Sequence, residues 1–168
     1  MGDPSHPERK AGGVDGRTIF SEGIFIGYRW FDKQQIAPLF PFGFGLSYTQ
    51  FQYSQLKITP VTDGGTDVSF LLQNIGTCDG DEVPQVYVDG PSQQPDGVPQ
   101  FAIRALAAFD RVHLKAGESR SITLHIAPRT FQYWSTADSQ WKTATGPRKV
   151  RIGASSRDLR LEAEFSAK

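Results

Sequence analysis

Pro38-Leu39-Phe40-Pro41-Phe42-Gly43-Phe44-Gly45-Leu46-Ser47-Tyr48 decides how this chain is read. Two prolines fix φ and two glycines release it, so the run is no regular helix and a poor central strand. Four of its residues are nevertheless Phe or Tyr, and rings of that size carry a hydrophobic load that a solvated loop tolerates badly. The run is therefore expected to be an irregular segment held between two packed bodies, with a different pattern on each side.

Upstream, residues 1–19 are rich in Gly, Pro and charge, lack apolar periodicity, and read as a flexible segment. From Thr18 to Phe31 the pattern changes. Ile24, Ile26, Tyr28 and Trp30 would share one face of a strand, and Phe25, Arg29 and Phe31 the other. A strand apolar on both faces belongs inside a larger α/β body. Residues 20–50 thus read as an arm that links such a body to the downstream domain, and the chain as a fragment or truncated relative of something longer.

Downstream of Tyr48 the pattern becomes one of short strands with turn signals between them. Phe51–Pro60 is closed by the Gly-rich turn Val61-Thr62-Asp63-Gly64-Gly65, and Asp67–Ile75 comes next with Val68, Phe70 and Leu72 inward. Glu82–Asp89 carries Pro84 near its start, which marks an edge or a bulge because proline cannot donate to the ladder. Gly90–Gln100 is a long polar loop. Ile103–Leu114 reads as an extended strand with a bend or as a helix; the alanines at 105, 107 and 108 leave both open. Ser119–Ala127 alternates cleanly, with Ile122, Leu124 and Ile126 on one side and Thr123 and His125 on the other. Phe131–Trp134 is expected to pair with Gln140–Lys142, and Pro147–Gly153 and Leu159–Phe165 complete the set. About seven such strands predict an all-β antiparallel sandwich of the immunoglobulin/fibronectin type III kind over residues 51–168, with an extended N-terminal arm.

Two groups of residues give a resemblance. Glu22-Gly23-Ile24-Phe25-Ile26-Gly27-Tyr28-Arg29-Trp30-Phe31-Asp32 followed by Pro38–Tyr48 resembles the C-terminal part of glycoside hydrolase family 3, where these runs end the α/β sandwich domain and lead into a fibronectin type III-like domain. Glu82-Val83-x-Gln85-Val86-Tyr87-Val88, Leu106-x-x-Phe109-x-Arg111-Val112-x-Leu114-x-x-Gly117-Glu118-Ser119 and the Tyr133-Trp134…Trp141 spacing are similar to that domain itself. Ala107-Ala108 and Thr145-Gly146-Pro147 depart from the family pattern, both at turns or bends. The resemblance favours the bent strand over the helix at 103–114. It implies a β-glucosidase-like parent whose nucleophile and acid/base lie in domains outside these residues.

Lys+Arg and Asp+Glu each number 18, with no long run of one sign, so neither nucleic acid nor an anionic membrane is an expected partner. No apolar run approaches the roughly 20 residues of a membrane helix, and Met1-Gly2-Asp3-Pro4 lacks the layout of a signal peptide, so an exported parent would carry its address on residues absent here. One cysteine, Cys78, allows no intrachain disulfide.

Glycosidase chemistry needs two carboxyls roughly 5–9 Å apart across a cleft, and neither family motif for them occurs. No position is assigned a catalytic role, and no cofactor or metal is expected. Asp79-Gly80-Asp81-Glu82 is weighed as a cation loop, but its spacing is that of a tight turn. His6, His113 and His125 are scattered, the latter two read as facing solvent. Tyr87, Tyr133, Trp134 and Trp141 form either a ligand-stacking platform or, for the two tryptophans, a cross-strand pair capping the core, the second being favoured.

Two functions are compatible with this pattern. In the first, the sandwich packs on and steadies the catalytic domains of a β-glucosidase-like parent, with Tyr28, Arg29, Trp30, Phe40, Phe42 and Phe44 as interdomain contacts. In the second, exposed aromatics, with Tyr133, Trp134 and Trp141 stacking, bind carbohydrate or lignin. An arm without its host is expected to bury Phe25, Trp30, Phe40, Phe42 and Phe44 against its own sandwich or to self-associate.

Overall fold

The computed structural model describes residues 22–91 and 99–167. The expectation for residues 1–19 and most of the loop Gly90–Gln100 fall outside them. The sandwich is built from strands β1 (Phe51–Pro60), β2 (Thr66–Asn74), β3 (Gly80–Glu82), β4 (Gln85–Asp89), β5 (Arg104–Phe109), β6 (Val112–Leu114), β7 (Ser119–Ile126), β8 (Gln132–Ser135), β9 (Gln140–Thr143), β10 (Gly146–Gly153) and β11 (Leu159–Ala167). One sheet runs β1-β2-β7, the other β11-β10-β4-β5, and all ladders are antiparallel.

The core lies between these sheets because the strands alternate. Val68, Phe70 and Leu72 of β2 and Ile122, Leu124 and Ile126 of β7 face Val86 and Val88 of β4 and Val150 and Ile152 of β10, all of them buried. Each such aliphatic side chain contributes about 1.5–3 kcal/mol on burial. Phe131, on a single 3-10 turn at Pro128–Phe131, closes one end and meets Phe165 at 5.3 Å between ring centres.

Among the described residues eleven strands replace the expected seven or so, in part because two long strands are each broken once. Pro84 interrupts the run from Gly80 to Asp89, and opposite it Asp110-Arg111 interrupts the run from Arg104 to Leu114. The two halves form β3–β6 and β4–β5 ladders, joined by Asp110 N–H donating to the Pro84 carbonyl. The stretch from Ile103 to Leu114 is thus a bent strand and not a helix.

The larger correction concerns the arm. No strand runs through Ile24–Phe31; the chain makes a turn at 22–24, and residues Tyr28–Gln34 form the helix α1. Gly27, at φ 56°, breaks the extended path, and Gln35 in the left-handed region ends the helix, its N–H donating to the Asp32 carbonyl while Ile36 N–H donates to that of Phe31. Aromatic residues on both faces of a supposed strand are here disposed by a period of 3.6, which puts Tyr28 and Asp32, four apart, on the same side. Ile24 and Ile26 are exposed and Phe25 is buried, with the Lys33 ammonium 3.9 Å above its ring.

Candidate functional site

The segment from Glu22 to Ser47 is tied to one end of the sandwich by polar groups. Tyr28 lies over Tyr87 at 5.9 Å and stacks on Phe42 at 4.9 Å, and its hydroxyl oxygen accepts the Leu106 N–H at 2.8 Å. Tyr87 is fully buried beneath it and donates to Gln85 Oε1 at 2.6 Å. Gln85 in turn donates to the carbonyls of Gly43, at 3.2 Å, and Ala154, at 2.9 Å. The Phe42 carbonyl accepts the Ser156 N–H at 2.9 Å. Burial pushes the Tyr87 hydroxyl well above the ordinary phenol range, which keeps it a donor at any working pH.

The second anchor is ionic. Asp32, at the inner face of α1, has a side chain only 1% exposed and lies 3.0 Å from both the Arg104 and the Arg157 guanidinium. Arg157 also donates to the Ile36 carbonyl just past the helix. A buried carboxylate held by two arginines is stable only while both stay, since removing one partner leaves an uncompensated charge.

With its inner side so occupied, the segment turns its apolar side chains outward. Leu39 is 90% exposed, Phe40 67%, Leu46 92%, Tyr48 fully, and Phe42 and Phe44 about half. Phe40 and Phe44 tilt on each other at 5.6 Å. Exposed apolar side chains gathered in one run of this length are more than a solvated loop ordinarily carries.

The contact candidates therefore separate. Tyr28 points inward, Trp30 is half-buried with its ring edge-on to Phe31, and Arg29 is half-buried with an Nε that has no hydrogen-bond partner among the described residues. Phe40, Phe42 and Phe44 line the outer face. Leu39, Leu46 and Tyr48 join them there without having been singled out, although they stand in the same proline-glycine run. Asp32 and Gln85 were also missed, and Glu82 was weighed only as part of the acidic turn. Gln85, a polar residue inside an apolar strand, was the one legible signal.

The aromatics of the hairpin take a different arrangement. Trp134 and Trp141 are register partners across β8 and β9, with ring centres 5.6 Å apart and planes at 71°. They pair across the strands as expected but do not cap the core: both are nearly half exposed, and the Arg129 guanidinium covers Trp141 at 3.7 Å. Tyr133 alternates to the opposite face, where its ring meets Phe101 edge-on. Tyr87 is no surface platform at all. The hairpin does not present several of these rings in one exposed plane, as the ligand-stacking reading asks.

The acidic run is divided among separate partners. Asp79 accepts the Ala116 N–H, Asp81 pairs with Arg111 and His113, and Glu82 accepts the Val83 N–H. Among the described residues no group of three His, Cys, Asp or Glu side chains is disposed to hold a metal.

Beside the arm a groove of about 790 Å³ opens between residues 41–51 and the loop 154–160, with Glu82 in its wall. Burial holds the Glu82 carboxyl above the usual carboxylate range, whereas the Arg160 guanidinium draws Asp158 below it.

Residues 82–156 match the model of the fibronectin type III-like domain. Over 88% of its length the chain is 39% identical to the probable β-glucosidase D of Aspergillus niger, of which it covers 21%, and over 97% it is 38% identical to the probable β-glucosidase M of the same fungus, covering 23%. It thus spans about a fifth of the length of these curated relatives. Among solved structures, a β-glucosidase from Streptomyces venezuelae in complex with D-glucose superposes on 99% of the chain with a TM-score of 0.88 and 40% identity, the chain covering 20% of it. A family 3 β-glucosidase from Bifidobacterium adolescentis does so on 98%, with a TM-score of 0.86 and 34% identity, and 23% of it covered.

Proposed function

Because the chain corresponds to the C-terminal part of a glycoside hydrolase family 3, β-glucosidase-like enzyme and carries its fibronectin type III-like domain, we propose that its role is structural. The sandwich packs on the catalytic domains of such an enzyme and steadies them, and it takes no part in bond cleavage itself. Residues 20–50 are the strap between them, the end of the preceding α/β domain. The observation that carries this reading is the outward face of the strap, where Leu39, Phe40, Leu46 and Tyr48 are exposed on a backbone that Asp32, Gln85 and Tyr28 pin from behind. A rigid apolar face needs little further ordering on docking, which lowers the entropy cost of association. The whole enzyme's action on terminal β-glucosides belongs to the same proposal.

A chimera tests it: the matched part of the Streptomyces venezuelae β-glucosidase is replaced by this chain. Hydrolysis of a nitrophenyl glucoside and the thermal midpoint should stay near those of the host. Phe40→Asp with Leu46→Asp should lower both in the chimera and leave unchanged the midpoint of the isolated chain at a dilution where it is monomeric, since these side chains are exposed in it. Equal behaviour of the doubly substituted and unsubstituted chimeras would refute the packing role.

A further inference from the structure

The groove beside the arm holds several charges, and all but one are already paired inside the chain. Asp81 is held by Arg111 at 2.5 Å and His113 at 2.9 Å. Arg157 is held by Asp32 at 3.0 Å. Asp158 and Arg160 form a two-pronged pair at 2.7 and 3.1 Å, with a third Arg160 donor on the Phe51 carbonyl. Glu82 is the remainder. It accepts the N–H of its neighbour Val83 at 2.9 Å and lies near the Tyr53 hydroxyl and in the field of Arg160, but no Lys, Arg or His among the described residues pairs with it directly.

The walls around this carboxylate are mixed: Ser47, Thr49 and the paired Arg157, Asp158 and Arg160 stand beside apolar side chains. Phe44 and Leu46 come from the arm, Ile75 and Val83 from the sandwich, and all four are exposed. A half-buried carboxylate without a direct cationic partner, flanked by these apolar side chains, suits a cation with an aliphatic stem. Arginine fits better than lysine, because its guanidinium is more weakly hydrated and docks on a carboxylate through two parallel N–H donors. The groove is also continuous with the outward face of the strap, since Phe44 and Leu46 belong to both.

We propose that the groove is the polar register point of the interdomain contact, and that it receives an arginine side chain projecting from the adjoining catalytic body, with Glu82 as its counter-ion. This rests on the packing role proposed above and names the chemistry of the partner surface: an apolar patch with one protruding guanidinium. Apolar contact alone fixes no register, whereas a single desolvated ion pair penalises every misplaced docking by leaving a charge unpaired.

The test compares Glu82→Gln and Glu82→Lys in the chimera and in the chain by itself. In the isolated chain, Gln removes a carboxylate that burial disfavours, so its midpoint should hold or rise. In the chimera the same change should lower the midpoint and Lys should lower it further, with added salt shrinking the difference from the unsubstituted chimera. Shifts of the same sign and size in both contexts would overturn the pairing. Hydrogen exchange separates this from failure of the packing role. If amides 39–48 exchange in the chimera as fast as in the isolated chain, the interface itself is absent; if they are protected and Glu82 is neutral, only the arginine contact fails.

Discussion

At the scale of single residues, buried polar groups decide how firmly the strap sits. Asp32 is the clearest case, because Arg104 and Arg157 converge on a side chain that water does not reach. Asp32→Ala is expected to lower stability by about 1–3 kcal/mol, less than a fully buried triad because both arginines keep some contact with solvent. Denaturant unfolding measures the cost, and faster exchange of amides 22–36 locates it. His125 belongs to this scale too. Its ring lies between two carboxylates, Nδ1 at 2.9 Å from Asp67 and Nε2 at 3.2 Å from Asp63, so both nitrogens can donate only in the imidazolium form. The Asp67 hydrogen bond first, and the Asp63 charge after it, raise the His125 pKa above 6.5. With a folded-state pKa above the unfolded one, the contribution is complete below pH 6.5 or so and fades as pH rises through the folded value. Thermal midpoints across that range should therefore fall on the alkaline side, and His125→Gln should flatten the profile. An unchanged slope in the variant would remove His125 from the account.

At the scale of elements, the strap depends on one backbone position. Gly43 has φ 80°, and a Cβ placed there would collide with the Gln85 amide group. Gly43→Ala therefore imposes left-handed strain and pushes away the side chain that binds the Gly43 and Ala154 carbonyls. A loss of about 1–3 kcal/mol is expected, visible as release of the strap in exchange of amides 36–47 while β2 and β7 stay protected. The same element shows why sequence reading goes astray at Tyr28–Asp32. In a run of five residues dense in aromatics, periods of 2 and of 3.6 fit equally well, and the choice is made by Gly27 and Gln35 turning the chain and by Tyr87 and Arg104 waiting on the sandwich. The strands suffer no such ambiguity. Alternation from Ser121 to Ile126 in β7 excludes the helical period, and Pro84 announces its own break.

At the scale of the whole molecule, an outward apolar face on an otherwise satisfied sandwich has a consequence for the isolated chain. It should self-associate in a concentration-dependent way, and Phe40→Asp with Leu46→Asp should keep it monomeric in sedimentation; an unsubstituted chain that stays monomeric at high concentration would mean that the face is held by something weaker than apolar contact. The sandwich class, its main strands and the chain's balance of charge were legible in local sequence, since alternation, turn residues and charge counts need no distant contact. Which residues of the aromatic arm face in and which face out was decided only by tertiary structure. That choice rests on contacts between residues dozens of positions apart, such as Asp32 with Arg157 or Gly43 with Gln85, and no periodicity of the arm itself encodes where its partners will stand.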